Sequence, residues 1–459
     1  MPPATLSCFK TYDIRGKLGE ELNEATAWRV GRAFAQARAA RRVVLGRDCR
    51  ASSATLAAAL AEGLRDAGAE VLDLGLAGTE EVYFATAHLG ADGGIEVTAS
   101  HNPIDYNGMK IVGTGARPLD PATEFAAVKD LAESQAFVPA ARGGLTPCPE
   151  VRAAYVERVL SFIDIAALRP LHILVNAGNG TAGPTFDAIA AELAARGAPL
   201  RFTRLHHSPD GSFPNGIPNP LLTENQPVTA AAVRAAGADM GVAWDGDFDR
   251  CFVFDAAGGF VAGEYVVGLL AEVFLRKSPG ASIVHDPRVV LNTRAVVAAH
   301  GGRAVAARTG HAFLKQAMRA QDAVYGGEMS AHHYFRDFHY CDSGMIPWLL
   351  VAELLGRSGL PLADLLAARR RDFPSSGEIN FRVEDAVAAI ARVQAAFASQ
   401  QPQRDDLDGL SLYFGTWRAN IRASNTEPVL RLNVESRGDA ALVARKVAEI
   451  AVLIGGTRL

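Results

Sequence analysis

The sequence predicts an α/β chain of three similar mixed-sheet α/β domains followed by a smaller C-terminal α+β domain. Three observations carry that expectation. Short β-rich runs alternate with stretches of helically spaced apolar residues through most of the chain, the pattern of sheets covered by helices. With 459 residues the chain is too long for one core, and about 150 residues per domain gives three to four domains. Past residue 373 the rhythm changes, and two helices bracket a pair of strand-like runs.

Taken in order, 42–46 reads as a strand, 52–67 as an amphipathic helix and 70–74 as a strand, with a further apolar strand-like run at 94–97. The rhythm returns as strand 171–175, a glycine-rich turn, helix 182–196 and strand 200–205. It returns again as strand 282–285, helix 293–300, strand 303–307, helix 312–318 and strand 323–325. The last part reads as helix 384–398, a polar stretch at 400–408, strands 411–417 and 429–435, and a closing helix 440–453. Pro147 and Pro149, the turn at 256–259 and the segment 370–375 divide the chain into domains 1–149, 150–257, 258–371 and 372–459.

Composition narrows the function classes. Hydrophobic residues make up 49% and charged residues 21%, as in an ordinary globular protein. The net charge of −4 carries no basic surplus, so nucleic acid is not an expected partner. Five scattered cysteines without a C-x-x-C argue against a disulfide framework and a zinc ribbon. The most apolar segment, 345–355, is interrupted by Pro347 and Glu353 and is too short for a bilayer. No charged leader followed by an apolar stretch opens the chain, so no membrane contact and a cytoplasmic location are expected.

Chemistry concentrates in a few loops. Thr98-Ala99-Ser100-His101-Asn102-Pro103, continued by Tyr106-Asn107-Gly108-Met109-Lys110, sets a hydroxyl, an imidazole and an ammonium in one loop after a strand. A bare serine is a weak nucleophile, but a phosphorylated one is a phosphoryl donor. Asp245, Asp247 and Asp249 alternate between two apolar runs, and on an extended segment would face one side. Three such carboxylates call for a hard cation such as Mg²⁺ or Ca²⁺; an EF-hand fails because position six is Arg250 and position twelve Ala256. Glu328, Ser330 and His332 alternate likewise and suit the vicinal hydroxyls of a sugar. In 422–428, Arg422 with Ser424, Asn425 and Thr426 suits a phosphate dianion. Gly178-Asn179-Gly180-Thr181-Ala182-Gly183 matches a dinucleotide-binding turn, but the next strand ends Arg204-Leu205-His206-His207, without the acidic residue that such a site needs. Tight packing explains those glycines as well.

In these loops the chain resembles the α-D-phosphohexomutases, and within them the subgroup acting on mannose and glucose phosphates. The 98–110 run resembles T-x-S-H-N-P-x-x-Y-N-G-x-K, and Asp245–Arg250 the metal loop D-G-D-x-D-R. Gly327-Glu328-Met329-Ser330 resembles the sugar loop G-E-x-S, and 422–428 the phosphate-binding loop. Tyr12-Asp13-Ile14-Arg15-Gly16 resembles the family's N-terminal arginine loop, and Thr309-Gly310-His311 a further substrate loop, preceded here by Arg308 instead of lysine. The resemblance implies four domains around a central cleft. It implies phospho-Ser100 as donor, and one Mg²⁺ per chain held by Asp245, Asp247, Asp249 and an oxygen on Ser100. It makes Arg15, His101, Lys110, Arg250 and His332 candidate catalytic residues, with Arg15, Lys110 and His332 assisting proton movement. Tyr12, Arg288, Thr309, Gly310, His311, Glu328, Ser330 and the Arg422 loop become candidate substrate ligands. The implied reaction interconverts mannose 6-phosphate and mannose 1-phosphate through a hexose 1,6-bisphosphate, which also serves as activator. Glucose phosphates, or both sugars, are the alternative. A phosphorylated hexose is then the expected partner, and the protein a monomer or homodimer. A metal-dependent sugar phosphatase and a non-catalytic sugar-phosphate binder are the competing readings.

Overall fold

The computed structural model describes residues 5–423 and 429–459. They divide into two compact units. One runs to Phe260 and adds His332–Gly359; the other takes Val261–Ala331 and Leu360–Leu459.

The first unit holds two sheets that present the serine and aspartate loops. In the first, the strands lie in the order Ile14–Lys17, Tyr106–Gly113, Gly93–Val97, Arg42–Arg47, Glu70–Leu76 and Leu145–Pro147. Gly93–Val97 is buried throughout. It pairs in parallel with Arg42–Arg47 and antiparallel with Tyr106–Gly113. The helices Glu24–Ala37 and Ser53–Asp66 cover this sheet with an aliphatic core that includes Val30, Phe34, Leu60 and Leu64. Asn23 caps the first of these helices, its side chain accepting from the Thr26 amide.

The second sheet places Leu171–Asn176 between Leu200–Leu205 and Met240–Trp244, parallel to both. Cys251–Asp255 returns antiparallel to Met240–Trp244 with Cys251 opposite Trp244. Every residue of these two strands is buried, so the six residues between them form a polar turn on an apolar hairpin. The short strands His333–Phe335 and Cys341–Asp342 also belong to this unit, as does the buried helix Met345–Ser358.

In the second unit, Ser282–His285 pairs in parallel with Arg303–Ala306 and Tyr325–Gly327. A largely antiparallel sheet follows, in the order Gln403–Asp405, Leu410–Tyr413, Trp417–Ala423, Val429–Ser436, Ser375–Arg382 and Thr457–Arg458. Helices Ala386–Phe397 and Ala440–Ile454 contribute to its core with Phe397 and Ile450.

Two expectations are corrected here. The run 411–417 is not one strand but a hairpin, Leu410–Tyr413 and Trp417–Ala423, turning at Gly415 with φ +80°. Phe414 and Trp417 stack across that turn with ring centroids 4.1 Å apart. The stretch 375–382, for which the sequence reading has no strand, forms strand Ser375–Arg382, where a bulge between Ser375 and Glu378 uses Gly377 at φ +65°. Among the described residues no helix is long and apolar enough to cross a membrane.

Candidate active site

The serine loop leaves the buried strand Gly93–Val97, and Ser100 itself takes φ +48°, a conformation that costs a non-glycine residue energy and clusters at functional sites. Ser100 is 5% exposed. Its hydroxyl donates to Asp245 Oδ2 at 2.7 Å, and its oxygen lies 3.0 Å from His101 Nδ1. The two loops singled out in the sequence, 145 residues apart, therefore meet atom to atom.

The aspartates converge by a route other than the expected one. Residues 245–250 form a turn, with buried Phe248 at φ +45°. The turn brings oxygens of Asp245, Asp247 and Asp249 within 4.8 Å of one another; a flat strand would space alternate side chains more widely. All three are buried. Among the described residues, one oxygen of each, Oδ1, has no hydrogen-bond partner. A buried cationic group already stands beside the set: Lys110 Nζ donates to Asp247 Oδ2 at 2.8 Å and to Asp249 Oδ2. Burial pulls the Lys110 ammonium down, but Asp247, Asp249 and Asp245 outweigh it and raise it above the ordinary lysine range. Burial likewise works to raise Asp249, and Lys110 and His332 overcome it and hold that carboxyl well below the usual range. Unsatisfied hard oxygens that attract a cation fit a divalent metal such as Mg²⁺.

Arg250 donates from Nε to Asp245 Oδ2 at 2.8 Å and from Nη2 to His101 Nδ1. Desolvation, then the charges of Arg250, Arg15 and Lys110, push His101 well below the ordinary histidine range. Its side chain is 41% exposed, so the three cations are the cause that weighs most. A neutral imidazole agrees with Nδ1 accepting from Arg250. His332 stands in an isolated bridge with Arg250, its Nε2 lying 3.5 Å from Asp249 Oδ1 and 4.0 Å from Asp342 Oδ2. Arg15 donates to the Thr98 carbonyl at 3.1 Å. Tyr12 is half-buried just before the strand that carries Arg15.

The glycine-rich turn at 178–183 turns out to be scaffolding. The Gly246 carbonyl accepts from the Thr181 amide and hydroxyl, each at 3.0 Å. A Cβ on Gly180 would come within 2.6 Å of that carbonyl, and a Cβ on Gly246 within 2.6 Å of the Ser100 carbonyl. The glycines allow three loops to stack.

The remaining candidates lie in the second unit. Arg288 is buried and donates to Asp286 Oδ2 from Nε at 3.0 Å and to Glu378 Oε2 from Nη1 at 3.1 Å. Glu378 also stands 3.6 Å from Arg422 Nη2 and 3.5 Å from Arg431 Nη1. Burial works to raise the Glu378 carboxyl, but Arg288, Arg431 and Arg422 outweigh it and hold it low. Among the described residues, Arg422 Nε and Nη2 are buried without a hydrogen-bond partner. The Glu328 carboxylate accepts from the Gly310 amide at 2.9 Å, and Asp408 from the Thr309 amide at 3.2 Å. His311 begins the helix His311–Gln321. Ser330 belongs to this unit and His332 to the first. Met329 is buried, with its sulfur accepting from Asn433. Ser424, Asn425 and Thr426 lie outside the described residues.

Sequence reasoning missed Asp48, Arg50, Thr79, Asp286, Glu378 and Asp408, all of which contact candidate residues or their loops. Only Asp48-Cys49-Arg50, a charged pair closing an apolar strand, left a sequence signal.

Comparison with known proteins follows the same lines. Residues 7–137, 153–258 and 262–373 match the α/β/α domains I, II and III of phosphoglucomutase/phosphomannomutase, and 378–453 the C-terminal domain. A phosphomannomutase of Salmonella montevideo is 59% identical across 98% of this chain and 99% of its own. One from Escherichia coli K12 is 56% identical over the same shares, 98% and 99%. A phosphoglucomutase/phosphomannomutase family protein of Burkholderia thailandensis superposes with TM-score 0.86 at 32% identity, covering 99% of both chains. With all four domains matched, the chain belongs to the phosphoglucomutase/phosphomannomutase family.

Proposed function

We propose that this protein is a phosphohexomutase that interconverts mannose 6-phosphate and mannose 1-phosphate, with domains near 1–149, 150–257, 258–371 and 372–459. The observation that carries this reading is the Ser100 hydroxyl bonded to Asp245 within a buried aspartate cluster. Full-length relatives named phosphomannomutase favour mannose as the sugar.

Phospho-Ser100 is the donor. A free sugar hydroxyl forms a new P–O bond as the bond from phosphorus to Ser100 Oγ breaks. The hydroxyl's proton passes to Oγ by way of neighbouring groups, for which His332, Lys110 and Arg15 are the candidates. The product of this step is a hexose 1,6-bisphosphate. After it turns over, Ser100 Oγ takes the other phosphoryl group by the reverse exchange, and the isomeric monophosphate leaves. Asp245, Asp247 and Asp249, with an oxygen on Ser100, would hold one Mg²⁺ per chain, which when bound neutralises charge on the transferring phosphoryl group. Arg250 and Lys110 orient the carboxylates and add fixed positive charge. Arg288 and Arg422, held by Asp286, Glu378 and Asp408, grip the phosphate that is not in transfer, while Glu328 and Ser330 bond sugar hydroxyls. Tyr12, Thr309, Gly310 and His311 complete the substrate contacts.

The test is ³¹P NMR of purified protein with mannose 6-phosphate, Mg²⁺ and a catalytic amount of hexose 1,6-bisphosphate. Growth of the 1-phosphate is expected, and Ser100→Ala should lower turnover by about a thousandfold or more. Release of inorganic phosphate matching substrate loss would make the protein a phosphatase instead. Glucose 6-phosphate in a parallel run measures sugar preference.

A further inference from the structure

We infer that Arg50 is a positioning residue for phosphoryl transfer: its guanidinium fixes the backbone that aims the Ser100 side chain at the aspartate cluster. This rests on the phosphoserine reading above.

Arg50 is 2% exposed and spends its donors on one loop. Nη2 donates to the carbonyls of Ser100 at 3.0 Å and Asn102 at 2.6 Å, and Nη1 to those of Pro103 at 2.9 Å and Tyr106 at 3.2 Å. Four acceptors on one planar fork define a geometry that a single ammonium cannot reproduce. The fork is itself braced. Asp48 Oδ1 accepts from the Arg50 amide at 2.9 Å, and its Oδ2 from the Thr98 hydroxyl at 2.8 Å. The Thr98 hydroxyl in turn accepts from the Ser100 amide at 2.9 Å. Phe213 lies over the guanidinium at 5.4 Å. Ser100 is thus held by its amide on one side and by its carbonyl on the other, at φ +48°. That same carbonyl is where Gly246 of the aspartate turn makes its close approach. Arg50 touches neither the Ser100 hydroxyl nor a carboxylate of the cluster in any of these contacts, so its effect passes through the Ser100 backbone.

The test uses Arg50→Ala and Arg50→Lys in the full-length protein, with wild type and Ser100→Ala as controls. We expect kcat to fall about 100-fold, the cost of misplacing a reacting group by about 1 Å, while KM for mannose 6-phosphate and Mg²⁺ affinity by calorimetry stay within about threefold. Guanidinium chloride at low millimolar concentration should restore about tenfold of kcat in Arg50→Ala, as a merely structural loss would not, and Arg50→Lys should stay slow. Either variant keeping kcat within about twofold of wild type overturns the proposal, as does a loss in Arg50→Ala that guanidinium fails to relieve. Should Arg50→Ala not fold, Arg50→Lys decides by its kcat alone. Mutase turnover absent from wild type or retained by Ser100→Ala would fail the phosphoserine reading itself; normal controls with unslowed Arg50 variants fail only this one.

Discussion

At the scale of single residues, the site depends on buried carboxylates held by cationic partners: burial works to raise Asp249, and Lys110 and His332 outweigh it. Asp247 accepts from Lys110 and from the Thr79 hydroxyl on Oδ2, leaving Oδ1 for a metal. Asp247→Asn keeps the shape and removes the charge. Calorimetric Mg²⁺ affinity should fall by at least about tenfold, since losing even an outer-sphere partner costs that much. Elsewhere, burial raises Glu264 from its ordinary 4.5 to about 7, although Ser375 donates to it. The folded state therefore keeps a proton that the unfolded chain has lost, and stability falls as pH rises from about 4.5 through about 7. The full span is worth about 3 kcal/mol. Urea denaturation at pH 5 and pH 7.5 should show a smaller pH difference in Glu264→Gln than in wild type. Ser100, Lys110 and the three aspartates stood out in the sequence by side-chain type, while the spacing argument set the aspartates on an extended segment instead of the turn they form. Arg50 was harder to read, because it acts on main-chain carbonyls, which any sequence supplies, and only its place beside Asp48 at a strand end marked it.

At the scale of elements, glycines decide how closely the loops approach. Gly180→Ala would push its methyl into the Gly246 carbonyl and lever the aspartate turn away from Ser100. Gly78→Ala would drive into the buried Phe248 ring at the centre of the same turn. Each should destabilise the protein by about 1–3 kcal/mol and weaken Mg²⁺ binding, measured by thermal unfolding with and without Mg²⁺. The helices 52–67 and 182–196 were readable because one face of each is apolar. Helix Thr79–His88 was not: residues 79–86 are buried on every side, so it carries no helical stripe. Strand Ser375–Arg382 was hidden by the Pro-Ser-Ser-Gly sequence that builds its bulge.

For the whole molecule, alternating strands and helices indicated the class of fold, and the four matched domains agree with the count from length. What the pattern could not give is chain membership: His332–Gly359 packs with the first unit although the sequence around it reads as part of the third domain. Burial of Trp348 beside Phe186 and Phe202 accounts for that, a contact between residues more than a hundred positions apart. Metal binding should also register globally. Mg²⁺ at about 100 times its dissociation constant adds about 2.7 kcal/mol to a state that alone binds it, so Tm should climb with Mg²⁺ in wild type and climb less at the same Mg²⁺ in Asp247→Asn.

Lys110 carries one last consequence. A cluster of three negative side chains in a dry interior would ordinarily burst apart when stripped of its ion, and many metalloproteins collapse under chelators for that reason. Here the chain brings its own tethered counter-ion, already bonded to Asp247 and Asp249. EDTA-treated protein should therefore keep its near-ultraviolet dichroism and stay monodisperse, silenced but intact, and recover when Mg²⁺ is returned.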